Sequence, residues 1–133
     1  MRTIVRALAG LALVVAATAC GGDDQAEITD RTWQVTELEG ETPVDGTTLD
    51  MTITDDTVAG SSGCNTYNGA ATVADDTISL GPNFAMTFMA CEDPIMTQEQ
   101  AYLDALTRAA TFEVQGDTLT LFDDAGDALV VLE

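Results

Sequence analysis

The chain has 133 residues, of which 23 are acidic, four are arginine and none is lysine or histidine, so its formal net charge at pH 7 is −19. This length suits one domain plus a targeting segment, and the charge favours a soluble monomer through self-repulsion. So few cations exclude nucleic acid as a partner, because that binding depends on Lys and Arg neutralising phosphates.

Residues 1–19 have the features of a bacterial signal peptide. Arg2 and Arg6 precede an apolar run over residues 7–17, which is shorter than the roughly 20 residues that a membrane-spanning helix needs. The run ends in Ala17-Thr18-Ala19-Cys20, which resembles a lipobox, although Ala17 stands where Leu is more usual. We therefore expect lipidation at Cys20, a flexible tether over residues 20–28, and an exported protein anchored to the bacterial cell membrane outside the cytoplasm. An ordinary cleaved signal is the alternative.

The folded domain is expected over residues 29–133, as a series of antiparallel strands. Trp33 and Val35 alternate with polar neighbours, and so do Leu49, Met51 and Ile53, which predicts half-buried strands. Acidic or glycine-containing turns then separate further hairpins and a last strand, at residues 49–60, 73–78, 112–122 and 128–132.

One segment departs from the strand pattern. Thr97 and Gln100 fit a capping box, Glu99 suits the start of a helix, and Leu103 and Leu106 follow at helical spacing. We predict a helix of about twelve to fourteen residues packed on the sheet. The fold class is therefore α+β: a curved antiparallel β-meander of about seven or eight strands, shaped like a half-open barrel, with one helix.

The cysteines indicate a disulfide. If lipid occupies Cys20, an even pair remains, Cys64 and Cys91, and such a pair outside the cytoplasm favours a bridge. The alternative, a reactive thiol, lacks a Cys-x-x-Cys motif and any His or Lys to lower a thiol pKa.

Catalytic chemistry finds little support in the sequence. Without His or Lys, Ser61 and Ser62 would need a carboxylate base, and they lack a nucleophile-elbow context. Acidic pairs such as Asp123-Asp124 sit in predicted turns, where Asp bonds its own backbone. We therefore expect no catalytic residues, no metal and no cofactor, with a weak calcium site in the 123–127 loop as the alternative.

Two further alternatives concern ligands. Asn65 is expected to satisfy backbone groups in a tight bend, although it could instead contact a ligand. Large side chains are expected to fill the core, but they could also line an apolar groove on the open side of the half-barrel. These side chains are Trp33, Tyr67, Met86, Met89 and Met96.

Together these pieces resemble the META domain, also called the HslJ-like family, over nearly all of residues 31–132. The residues that carry the resemblance are Trp33, Gly60, Gly63, Cys64, Asn65, Gly69, Thr87, Met89, Cys91 and Glu99. The resemblance implies a small curved sheet with one helix and supplies no catalytic residues. The family tends to place an aromatic after Gly69, whereas Ala70 and Ala71 follow here, so Phe84 or Phe88 would have to compensate.

The expected function is that of a non-enzymatic, lipid-anchored protein of the cell envelope with a binding or envelope-stress role. Its contact with the membrane would be made through Cys20, and its protein or small-molecule partner is not specified by the sequence. The alternative function is that of a carrier or sensor holding a small apolar ligand or lipid in the half-barrel. A carboxylate-dependent hydrolase is the third and weakest hypothesis.

Overall fold

The computed structural model describes residues 27–133. The predicted signal peptide, Cys20 and most of the tether lie outside these residues and stay predictions. The folded region includes Ile28, which is fully buried and accepts a hydrogen bond from the indole nitrogen of Trp33 at 3.1 Å. Ile28 therefore packs with the folded domain.

The sheet contains nine strands among the described residues. They are β1 (Thr32–Leu38), β2 (Asp50–Thr54), β3 (Thr57–Ser61), β4 (Thr66–Ala74), β5 (Thr77–Leu80), β6 (Ala85–Met86), β7 (Thr111–Gln115), β8 (Thr118–Phe122) and β9 (Ala128–Leu132). The hairpins around residues 49–60, 73–78 and 112–122 and the last strand follow the predicted meander. The strand that the sequence did not predict is β6, which has only two residues and is too short to produce an alternating pattern.

The strands join into a ring. Consecutive strands pair antiparallel from β1 to β5 and from β7 to β9, and β9 returns to pair with β1. The remaining step, β5 to β7, has the single residue pair Thr77 and Thr111. The sheet is therefore ring-like and strongly curved without being a barrel, and this confirms the α+β prediction of a half-open sheet with a helix.

The helix α1 spans Asp93–Arg108 and starts four residues before the predicted capping box. Pro94 occupies the first turn, where its fixed φ and missing N–H cost nothing, and Glu92 stands at the N-cap without a side-chain hydrogen bond. The prediction that Thr97 and Gln100 cap the helix is therefore wrong, since both lie inside it.

The core lies between the inner face of the sheet and one face of α1. The strands contribute alternating residues such as Trp33, Met51 and Leu121, and the helix contributes Tyr102 and Leu106, all fully buried. At about 25 cal/mol per Å² of apolar surface removed from water, these large side chains supply most of the driving force for folding. The helix is thus fixed with its first half beside the loop that joins β3 to β4.

Candidate functional site

A polar cluster with a buried centre ties three separate segments together. Asn65, in the loop between β3 and β4, accepts hydrogen bonds at its Oδ1 from the Met89 N–H at 2.6 Å and the Thr87 hydroxyl at 3.0 Å. Its Nδ2 donates to the Met89 carbonyl at 3.3 Å and to Glu99 Oε2 at 3.0 Å. All four hydrogen-bonding positions of the amide are therefore used within the chain.

Glu99 brings the helix into this cluster. Its side chain is 3% exposed, and its Oε1 accepts from the Asn65 backbone N–H at 2.9 Å and lies 2.5 Å from the Ser62 hydroxyl. A buried carboxylate is costly unless several donors satisfy it, and here three donors do so. We call Ser62, Asn65, Thr87, Met89 and Glu99 the clasp.

The disulfide lies beside the clasp. Cys64 is bonded to Cys91, which joins the β3–β4 loop to a position two residues before α1 across a sequence separation of 27. The predicted bridge is thus present in the structure, and neither cysteine is free to act as a nucleophile. Covalent and hydrogen-bonded links therefore hold the same two segments together.

Three glycines allow the close approaches around the clasp. A Cβ on Gly60 would lie 2.2 Å from the Asp50 carbonyl oxygen, so only glycine lets β3 approach β2 at this point. Gly63 has φ +107°, which other residues rarely adopt. A Cβ on Gly69 would lie 2.7 Å from the Phe84 ring, which rests on that glycine.

Phe84 therefore supplies the packing that the missing aromatic after Gly69 would provide. Its ring also meets Tyr67 edge-on, with centroids 5.7 Å apart. Phe88, the other residue expected to compensate, does not do so, because it is 96% exposed.

Two buried tyrosines lie next to the clasp in the sequence, Tyr67 two residues after Asn65 and Tyr102 three residues after Glu99. The hydroxyls of Tyr67 and Tyr102 are 3.0 Å apart, and each lies within 3.0 Å of the Asp50 carbonyl oxygen. Burial raises the pKa of both phenols above the ordinary tyrosine value. Both groups stay neutral at physiological pH and act as hydrogen-bonding parts of the core.

An apolar groove runs along the outside of the clasp. One wall is the segment 86–90 and the other is the exposed side of α1, and the groove between them holds about 370 Å³. Phe88 and Met89 are 96% and 59% exposed, and they are the large apolar side chains that stand out most from the described surface. Apolar side chains dominate the lining, with Asn65 and Glu99 at its base: Met86, Phe88, Met89, Met96 and Leu103.

The five side chains that could have lined an apolar ligand groove lie in two different places. Trp33 and Tyr67 belong to the core, where the guanidinium of Arg31 also covers the Trp33 ring at 3.7 Å. Met86, Met89 and Met96 instead line the surface groove. The groove is therefore outside the ring of strands and not in its interior.

The other candidate sites have structural explanations. Asp123 Oδ1 accepts hydrogen bonds from the backbone N–H groups of Ala125 and Asp127, so this carboxylate closes its own turn. Within residues 27–133 no group of three or more His, Cys, Asp or Glu side chains could hold a metal ion. Ser61 donates to the Thr48 carbonyl, while Ser62 and Glu99 form a buried hydroxyl–carboxylate pair.

Two features of the site were missed by sequence reasoning. The role of Glu99 as the centre of the clasp depends on partners 34 and 37 positions away, which no local pattern reveals. The exposure of Phe88 has a partial signal, because Thr87-Phe88-Met89 breaks the alternation of polar and apolar residues. In a strictly alternating segment, only one of Phe88 and Met89 would be exposed.

No helix within residues 27–133 has the length and hydropathy to cross a membrane.

Among solved structures, the chain is similar to an NMR structure of a protein from Burkholderia xenovorans, with 28% identity, a TM-score of 0.63, and coverage of 80% of this chain and 83% of that one. It also shares its fold with a crystal structure of a DUF4847 family protein from Bacteroides vulgatus, at 17% identity and a TM-score of 0.61, covering 82% and 95% of the two chains. No curated protein matches the sequence. The family model for the META domain matches residues 26–133, and the chain belongs to the META domain family.

Proposed function

We propose that this protein is a non-enzymatic binding module, anchored by lipid at Cys20 to the outside of the bacterial cell membrane, and that it binds its partner through the apolar groove. The observation that carries the proposal is the exposure of Phe88 and Met89 on a segment held rigidly by the clasp. Exposed apolar patches bounded by polar residues are typical of interaction sites.

Among residues 27–133, the buried polar groups at the base of the groove are already hydrogen-bonded to one another or to the backbone, which supports a binding role. The Asn65 amide, the Glu99 carboxylate and the Ser62 hydroxyl beside it all have partners inside the chain. A general acid or base needs a proton-transferring group within reach of substrate, and these groups are committed to holding backbone segments. The groove therefore offers shape and apolar surface.

A small apolar ligand is the second candidate, favoured by the volume of the groove. At about 370 Å³ it falls in the range of about 300–1,000 Å³ that small-molecule sites occupy. The interior of the ring is filled by core side chains, so such a ligand would bind at the surface groove. The carrier or sensor hypothesis then differs from the binding module in the class of molecule bound.

Native mass spectrometry of protein purified from its host tests both candidates. We expect the wild-type chain to retain a partner whose mass identifies it as protein or small ligand, and we expect the double variant Phe88→Ser, Met89→Ser to lose it. The matched control carries serine at Glu113 and Gln115, which are exposed on β7 away from the groove. A bare mass for the wild type, or equal retention by all three proteins, would contradict the proposal.

The anchor is tested separately by Cys20→Ala. We expect this change to move the protein from the membrane fraction to the medium, since the attached acyl chains supply the membrane affinity at about 0.8 kcal/mol per buried CH₂. Unchanged fractionation would exclude lipid anchoring at Cys20 while leaving the groove hypothesis intact.

A further inference from the structure

The wall of the groove formed by residues 86–90 starts in β6, the strand at the edge of the sheet, and continues past its end. Its first part, β6, runs antiparallel to β4, with Met86 opposite Tyr67. The Thr87 N–H then bonds the Thr66 carbonyl at 3.2 Å, and the Met89 N–H bonds the Asn65 side chain at 2.6 Å. Asn65 thus extends the ladder by one step beyond the end of β4.

Phe88 presents its backbone to the outside of this edge. In an antiparallel ladder alternate residues direct their N–H and C=O groups to opposite sides, so Thr87 and Met89 face β4 while Met86 and Phe88 face away. Within residues 27–133, neither the N–H nor the C=O of Phe88 is bonded to another residue. Unpaired strand edges of this kind accept a further strand.

The helix supplies the apolar surface that such a strand would cover. Met96, Gln100 and Leu103 lie at positions i, i+4 and i+7 of α1, so they share one face, and that face forms the opposite wall of the groove. A strand paired with residues 86–88 would lie about 4.8 Å from them and would direct alternate side chains toward this wall. Strand addition combines backbone hydrogen bonds with side-chain pockets in this way.

The negative charge of the chain disfavours two of the possible occupants of the groove. Glu92 and Asp93 are exposed immediately after the 86–90 segment, and both described arginines are engaged, Arg108 with Glu39 and Asp104, and Arg31 over Trp33. Without residues 1–19 the chain keeps two arginines against 23 acidic residues, a net charge of −21. A second copy of the chain and an anionic lipid surface would both be repelled.

Resting on the proposed binding role of the groove, we propose that its occupant is an extended segment of another protein, with alternating apolar residues and flanking Lys or Arg, which adds as a strand to the edge at Met86–Phe88. The apolar side chains of the segment cover Met96 and Leu103, and its cations face the acidic surface around Glu92 and Asp93. The clasp holds this edge in its binding conformation before the segment arrives, which lowers the entropic cost of association.

Selection of random peptides on the full mature chain tests this assignment. We expect the enriched peptides to alternate apolar residues, to carry Lys or Arg, and to bind less tightly as salt rises. Methylating a peptide backbone nitrogen that pairs with the edge should weaken binding by about tenfold, the equivalent of one hydrogen bond. Phe88→Ala removes the side chain only, whereas Phe88→Pro also removes the free N–H, so the proline variant should bind more weakly than the alanine variant.

Three results would overturn the assignment. They are enrichment of peptides with helical apolar spacing, enrichment of acidic peptides, and indifference to backbone methylation. The methylated peptides keep the test valid even if Phe88→Pro fails to fold. If a partner retained from the host depends on Phe88 and Met89 but no alternating cationic peptide is enriched, strand addition is wrong and the binding function stands. If the host protein retains no partner, the proposed function itself fails.

Discussion

At the scale of single residues, Asn65 accounts for the geometry of the site. Its amide bonds both the N–H and the C=O of Met89, as a neighbouring strand would. The same amide also donates to the carboxylate of Glu99. The sequence predicted that Asn65 would satisfy backbone groups in a bend. Glu99 was singled out as one of the residues that carry the resemblance to the META domain. The contact between them was not predictable, because it depends on how a loop and a helix 34 positions apart pack.

Replacing Asn65 with alanine should destabilise the domain by about 2–4 kcal/mol. The change leaves the part-buried Met89 N–H and one oxygen of the buried Glu99 carboxylate without their partner, and each such unsatisfied group costs about 1–3 kcal/mol before relaxation. Urea unfolding measures the loss. The control is Asn68→Ala, at an exposed position of β4, which should change the free energy of unfolding by less than about 0.5 kcal/mol. Equal effects of the two substitutions would show that the clasp does not stabilise the fold.

Gly60→Ala should be far more damaging than Gly69→Ala. A Cβ at Gly60 meets the backbone oxygen of Asp50, which cannot move without separating β2 from β3 and disturbing the tyrosine hydroxyls bonded to it. A Cβ at Gly69 meets the ring of Phe84, a side chain that can shift. We expect losses of more than about 3 kcal/mol for the first and about 1–2 kcal/mol for the second, measured by thermal and urea unfolding. The reverse order would contradict the close approach at Gly60.

At the scale of elements, the region between β6 and α1 departs most from the sequence prediction. Helix α1 begins at Asp93, with Pro94 in its first turn, and β6 has only two residues. Alternating strands such as β2 and β8 were predictable because each buries alternate side chains. A two-residue strand and a helix start without a side-chain cap produce no such pattern, so their positions follow from the disulfide and the clasp.

The disulfide should contribute about 3.5 kcal/mol to stability, from the chain-entropy model for a loop closed across 27 positions. We expect the double variant Cys64→Ala, Cys91→Ala to unfold at a correspondingly lower urea concentration with an unchanged fold by NMR. Wild-type protein unfolded in the presence of a reducing agent provides the matched comparison, and labelling of folded protein should find no free thiol at either position. Ready labelling without reductant would contradict the bridge.

At the scale of the whole molecule, the ring of strands depends on pairings between distant parts of the chain. β9 returns to β1, and β3 stays paired with β4 along its length, so the first and last strands close around one core. The sequence predicted the individual strands, the curvature and the helix. It could not predict which strands would be neighbours across the ring, since strand order is set by the packing of all the buried faces together.

The chain should lose stability in alkali through its two tyrosines. Their pKa values are raised in the folded state, so between about pH 10 and the folded pKa the unfolded chain loses protons that the native chain keeps. Stability is therefore complete below about pH 10 and falls above it, by up to about 1.4 kcal/mol per pH unit for each tyrosine. The sequence has no lysine or histidine and no other tyrosine to contribute.

Urea unfolding from about pH 8 to about pH 11.5 measures this loss. Tyr67→Phe and Tyr102→Phe keep the rings and remove one titrating group each, so each variant should show about half of the wild-type slope. Tyrosinate absorbance that appears near pH 10 in protein that is still folded would show that the hydroxyls are not buried as described.

Binding of a partner through the groove formed by residues 86–90 and α1 is the proposed activity of the protein. Photo-crosslinking in the living host tests it most directly, with a photoreactive phenylalanine analogue in place of Phe88 and, as control, in place of Glu113 on the exposed face of β7. We expect a discrete crosslinked product from position 88 and none from position 113. Equal labelling from both positions, or none from position 88 in well-expressed folded protein, would contradict it.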